Sequence, residues 1–128
     1  MRVPFFNYSD VYKKHKLAFL KLFDEIGSHG AFILQDDLST FEFEIANYSN
    51  CEYAVGVGNA TDALEMLVQV AGIKKDDEVI ISTHTMIATA SAISSIDAIP
   101  VPVECGADHL VDPKSIEKAI NSKTKCIM

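Results

Sequence analysis

Glu52-Tyr53-Ala54-Val55-Gly56-Val57-Gly58-Asn59-Ala60-Thr61-Asp62-Ala63-Leu64 is the stretch on which the fold turns. Tyr53–Val57 is short, apolar and rich in β-formers, which predicts a strand. Two glycines and an asparagine then punctuate the chain. From Ala60 the apolar residues recur at three- and four-residue spacing: Ala60, Ala63, Leu64, Leu67, Val68 and Ala71 form one stripe, and Asp62, Glu65 and Gln69 fall opposite. That period predicts a helix over Ala60–Ala71 whose stripe packs on a sheet.

Downstream, the same grammar repeats. Glu78–Ile81, Ile99–Val103 and Lys125–Met128 read as strands, and Thr85–Ile96 and Pro113–Ile120 as helices. Asp112 before Pro113 supplies an N-cap followed by a favoured first helical residue. Continuous apolar strands alternating with helices predict an α/β fold: a mostly parallel sheet, helices on both faces, right-handed crossovers. Thr124-Lys125-Cys126-Ile127-Met128 reads as a strand with no helix after it, so the βα repeat is expected to be truncated there.

Upstream, the pattern is helical. Val11, His15, Ala18, Phe19, Leu22, Phe23 and Ile26 make an amphipathic helix of roughly Asp10 to Gly27, with His15 packed in its stripe and assigned no role. Ser39-Thr40-Phe41-Glu42 has the spacing of a capping box, with Leu38 and Phe43 as its staple. Between these helices, Ala31-Phe32-Ile33-Leu34 is apolar enough to predict a packed connection. The expected division is therefore a helical segment, 1–51, and the start of an α/β domain, 52–128.

Composition bounds the function. Eighteen acidic against eleven basic side chains give a formal charge of −7, which opposes a phosphate-backbone partner. Lys13, Lys14 and Lys16 are expected on a solvated helix face. No apolar run approaches the ~20 residues of a membrane span, and Met1 to Phe6 lacks the apolar core of a signal peptide, so a cytoplasmic protein with neither nucleic acid nor membrane as partner is expected. Cys51, Cys105 and Cys126 are widely spaced and lack a C-x-x-C pair, which argues against a disulfide framework or a zinc site and predicts buried thiols. No metal-binding residue is assigned.

Gly56-Val57-Gly58-Asn59-Ala60-Thr61 lies where strand gives way to helix. The first helical amides have no internal acceptor, the helix dipole favours negative charge, and Thr61 adds a hydroxyl, so the junction can hold an anion. Two other readings share this spacing. Gly56 and Gly58 match the first glycines of a dinucleotide fingerprint, although Thr61 stands in the third place and the acidic residue after the second strand is missing. A tight turn that binds nothing is the other.

Several spaced segments together resemble the DegT/StrS-type sugar aminotransferases of fold type I. They are G-V-G-N-A-T-D-A-L from Gly56, D-D-E-V-I from Asp76, T-H-T-M-I-A-T-A-S-A-I from Thr83, I-P-V-P-V-E from Ile99, D-P-K-S-I-E-K-A-I from Asp112 and T-K-C-I-M from Thr124. Val3-Pro4-Phe5-Phe6, Gly30-Ala31-Phe32-Ile33-Leu34 and Phe41-Glu42-Phe43-Glu44-Ile45-Ala46-Asn47-Tyr48 are similar to that family's leader, G-x-(Y/F)-I-L stretch and F-E-x-E-x-A-x-Y helix. The resemblance runs the length of the chain. It implies the amino-terminal part of a pyridoxal 5'-phosphate (PLP) transferase large domain.

By this resemblance Asn59, Ala60 and Thr61 fall on the (S/N)-G-T step that holds the cofactor phosphate, with Ala60 replacing the commoner glycine. Met86 stands where the family places an aromatic or flat side chain over the pyridoxal ring; a thioether can also contact a π-face, and Met86 could equally be a core residue of its helix. His84 is read as a surface histidine. Gln35 replaces a glycine and Glu104 an aspartate. None of the ten lysines sits in the family's lysine segment, which with the aspartate for the pyridinium nitrogen lies downstream, so no catalytic residue is assigned here.

The implied activity belongs to a longer parent: amino transfer from an amino-acid donor, glutamate by preference, to a keto-sugar nucleotide, by a homodimer. This chain alone is expected to be inactive. Two alternatives remain: a PLP-dependent sugar dehydratase on the same scaffold, and a non-enzymatic nucleotide-binding or interaction module.

Overall fold

The computed structural model describes residues 4–128, so Val3 of the leader lies outside it. The chain separates into two compact units, one ending at Gly56 and one spanning Val57–Met128. They are described in turn.

The first unit holds helices α1 (Tyr8–His29) and α2 (Asp36–Tyr48). Asn7 caps α1 by accepting the Asp10 N–H on its side chain. At the other end Gly30, at φ 65°, takes the left-handed turn that glycine enters without steric cost, and the Gly30 and Ala31 N–H groups donate to the Gly27 and Ile26 carbonyls. The helical period is borne out and extends beyond the expected bounds.

Its packing differs from expectation. No residue of α1 is buried, and Phe23 is 77% exposed. His15 is exposed too, its ring 5.9 Å from that of Phe19. Phe32, Ile33 and Leu34 are likewise exposed, so the connection is not packed. Period selects which residues share a face, but a face is buried only where another surface meets it.

Helix α2 also corrects the capping box. It begins at Asp36 with Gln35 as N-cap, placing Ser39 inside the first turns. Asp36 and Asp37 supply the negative charge that the helix start favours. Glu42 is engaged elsewhere: its Oε1 accepts the Gly56 N–H at 2.7 Å. Leu38 lies against Gly56 so closely that a Cβ there would come within 2.7 Å of its Cδ1.

Tyr53–Val57, expected as a strand, forms no regular secondary structure, and Tyr53 and Val55 are 77% and 79% exposed. A strand exists by exchanging hydrogen bonds with a neighbour. Among the described residues none pairs with this one.

The second unit is α/β. Helix α3 (Ala60–Val70) precedes strand β1 (Glu78–Ser82), helix α4 (Ile87–Ser94), strand β2 (Ile99–Val103), helix α5 (Pro113–Ala119) and strand β3 (Thr124–Ile127). The strands form a parallel sheet in the order β2-β1-β3. Glu78 pairs with Ile99 on one side and Thr124 on the other.

The two crossovers run in opposite directions across this sheet, so right-handedness puts α4 and α5 on opposite faces. Burial agrees. Val79 and Ile81 join Val68, Ile73, Ile93 and Ala98 in one core, while Ile80, which points the other way, is also fully buried. Covering both faces of β1 is what its unbroken apolar run requires.

Helix α3 packs chiefly against α4 and reaches the sheet core through Val68, with Ala63 and Leu64 half-buried. The remainder of the expected stripe, Ala60, Leu67 and Ala71, is exposed. Helix α4 starts at Ile87, two residues later than its period suggested. Helix α5 begins as expected, Asp112 accepting the Lys114 and Ser115 N–H groups. The cysteines correct another expectation: Cys51 is exposed, Cys105 and Cys126 are half-buried, and all three are free thiols. Among the described residues no helix is long and apolar enough to cross a membrane.

Candidate functional site

The second unit presents two features that can meet a ligand. One is the start of α3, which carries Asn59, Ala60 and Thr61. The other is the carboxyl end of β1, from which the chain runs through His84 to Met86.

At the first, Asn59 is the N-cap, in extended conformation, and its Oδ1 accepts the Asp62 N–H at 3.1 Å. Its carbonyl accepts the Ala63 N–H at 3.2 Å, the first turn of the helical ladder. The Ala60 and Thr61 amides precede that ladder, so helix geometry leaves them without an intrahelical acceptor. Two amides, the Thr61 hydroxyl and the positive end of the helix dipole form a donor set without a cation. A phosphate monoester fits that chemistry.

The two glycines serve differently from a dinucleotide fingerprint. Neither takes a positive φ. The Gly56 N–H is already held by Glu42, and its missing Cβ makes room for Leu38 rather than for a ligand. Gly58 lies under the Asp62 carboxylate, where a Cβ would come within 3.0 Å of Oδ2. The anion-holding part of the junction is confined to the helix start.

Asp62 lies on this start and not on a remote face. Asn59 Nδ2 donates to its Oδ2 at 3.0 Å, so the N-cap and third helical residues bond each other reciprocally. The spacing Asn59-x-x-Asp62 carried that signal in the sequence, since it is the spacing of a capping box.

At the second feature, Met86 is the N-cap of α4, extended, with no side-chain hydrogen bond, and 74% exposed. It is therefore not a core residue of its helix. The His84 N–H donates to Ser82 Oγ at 3.1 Å, and Ser82 Oγ lies 3.1 Å from Cys105 Sγ. The His84 ring is exposed and stands edge-on to that of His109, 6.3 Å away. No local pattern linked these two loops; the sheet brings them together. In open α/β sheets ligands bind outside the carboxyl ends of the strands where strand order reverses, and here the order reverses at β1.

Concavities of the first unit lie elsewhere: one is lined by Leu22, Glu25, Ile26, His29, Gln35 and Asp36, another by Glu42, Phe43, Ala46 and Tyr53. Neither includes Asn59–Thr61 or Met86. Among the described residues no three histidine, cysteine or carboxylate side chains gather into a metal-binding group.

The sequence profile of the DegT/DnrJ/EryC1/StrS aminotransferase family matches residues 14–128. The chain is 36% identical over 129 aligned residues to a pleiotropic regulatory protein of Geobacillus stearothermophilus, covering 100% of this chain and 35% of that protein. It is 37% identical over 128 residues to the dTDP-3-amino-3,4,6-trideoxy-alpha-D-glucose transaminase of Streptomyces venezuelae, covering 99% and 34% respectively. Its fold matches the crystal structure of NtdA from Bacillus subtilis with bound cofactor PMP at a TM-score of 0.92 and 26% identity, over 98% of this chain and 29% of that one. The chain thus spans about a third of the length of the curated relatives it matches.

Proposed function

Because the chain belongs to the DegT/DnrJ/EryC1/StrS aminotransferase family, we propose that it is the amino-terminal portion of a PLP-dependent enzyme. That enzyme transfers an amino group from an amino-acid donor, glutamate by preference, to a keto-sugar nucleotide. It works as a homodimer in the cytoplasm.

The observation that carries this reading is the open start of α3. The Ala60 and Thr61 amides, which precede the helical ladder, and the Thr61 hydroxyl are assigned to the phosphate, and the same residues resemble the family's phosphate step. When bound, PLP supplies an electron sink that lets an amino group be exchanged for a keto oxygen. The part of these residues is to hold and orient it: amides fixed in a helix fix the phosphate, and a fixed phosphate restrains the ring. Met86, exposed beyond the carboxyl end of β1, is assigned to the ring face through its thioether.

The amine that would attach the cofactor and move the proton is assigned to the remainder of the parent, and the 128-residue chain alone is inactive. The test uses the intact protein with PLP, glutamate and keto-sugar nucleotides, with product detected by mass spectrometry. An aminated sugar nucleotide is the expected product. A deoxygenated sugar without incorporated nitrogen would assign the chain to a dehydratase, and no cofactor binding at all would leave an interaction module.

A further inference from the structure

The feature left unused by that assignment is Asp62. Its carboxylate lies in the first turn of α3, held by Asn59 Nδ2 at 3.0 Å while its own amide donates back to Asn59 Oδ1 at 3.1 Å. The absence of a side chain at Gly58 leaves it room, since a Cβ there would lie 3.0 Å from the same Oδ2. The side chain is thus drawn towards the helix end that the Ala60 and Thr61 amides leave open. Within about one helix turn, ~5.4 Å, any anion on those amides shares its surroundings with this carboxylate.

Resting on the assignment of the cofactor phosphate to Ala60 and Thr61, we propose that Asp62 is an internal anion of that site. Its charge complements the helix dipole when no phosphate is bound and opposes the phosphate that arrives. Two consequences of opposite sign follow. An acidic residue in the first turn stabilises the ligand-free helix through the dipole. The same charge weakens phosphate binding by Coulomb repulsion, more strongly at low ionic strength because the pair is near the surface. A residue that only shaped the helix would give one sign, since its loss would lower stability and affinity together.

The experiment uses the intact, cofactor-free protein. Inorganic phosphate, PLP and pyridoxal are titrated calorimetrically into wild type, Asp62→Asn and Thr61→Val at two salt concentrations, alongside thermal melts without ligand. The amide of Asp62→Asn can still accept from Asn59 and carries no charge. This variant is expected to bind phosphate and PLP about threefold to tenfold more tightly, with a larger gain at low salt. Pyridoxal, which lacks the phosphate, should bind unchanged, and the ligand-free melt should fall slightly. Unchanged or weaker phosphate binding by Asp62→Asn, with Thr61→Val weakened as assigned, overturns the role of Asp62 alone. Phosphate affinity that responds to neither substitution overturns the site itself, and the proposal with it.

Discussion

The two units share a similar apolar content and differ in what they do with it. In the second, β1 buries Val79, Ile80 and Ile81, and Val68, Ile73, Ile93 and Ala98 gather around Val79 and Ile81. In the first, Ala46 is the one buried residue among those described, while Phe19, Leu22, Phe23, Phe32 and Leu34 stand exposed. The difference is geometric. A parallel strand offers two faces, and each crossover helix covers one, so a few dozen residues close a core. Two helices and a loop offer stripes that need a further surface. Exposed apolar area on this scale marks a region made to meet another surface.

The sharpest way to break that comparison is to cut one large side chain from each unit. Ile93→Ala removes a fully buried side chain from α4 and should destabilise the second unit by about 2–5 kcal/mol, a transfer cost plus a cavity cost. Phe23→Ala, from a side chain 77% exposed, belongs at the other end of the scale. Chemical denaturation of both variants measures the gap. Equal losses would mean that the first unit has a core of its own.

Thr61→Val comes next and concerns the site more than the core. It keeps the β-branched shape and removes the hydroxyl, so one hydrogen bond to a charged phosphate is lost, about 1.5–3 kcal/mol, or roughly tenfold to hundredfold in PLP affinity. A spectroscopic titration of PLP into the cofactor-free protein measures it. The melting temperature should barely move, which separates a binding residue from a packing one.

A smaller effect is expected at α5. The Ser115 side chain donates to the Asp112 carboxylate at 2.9 Å, and this bond, aided by the Lys114 N–H, holds the Asp112 pKa below its ordinary 3.8. A carboxylate with a lowered folded-state pKa contributes stability that is present above its unfolded pKa. That contribution is lost as pH falls through the folded value. Melts of wild type should therefore decline on acidification below about pH 4 more steeply than melts of Asp112→Asn. Parallel curves would remove Asp112 from the account of that helix.

The smallest change is Phe23→Ala itself. A side chain so exposed in this chain should alter stability by no more than about 0.5 kcal/mol. A large loss in the intact protein, set against a negligible one in this chain, would show that the α1 stripe is covered there.

Much of this was legible in the residues. The apolar run at Val79–Ile81 announced a strand because a doubly covered strand tolerates an unbroken apolar run, and Asp112-Pro113 announced a helix start because capping is a local bond. The Asn59-Ala60-Thr61 helix start was legible for the same reason: which amides lack acceptors depends only on where a helix begins. What only the tertiary structure decided depends on neighbours distant in sequence. The Tyr53–Val57 segment has strand composition and no strand partner; Ser39 and Glu42 have capping-box spacing, yet Glu42 bonds Gly56, fourteen residues on. His84 and His109 meet only because parallel pairing sets the ends of β1 and β2 side by side. Period and capping are set within a turn or two of chain, whereas pairing and burial are set by whichever surface arrives from elsewhere.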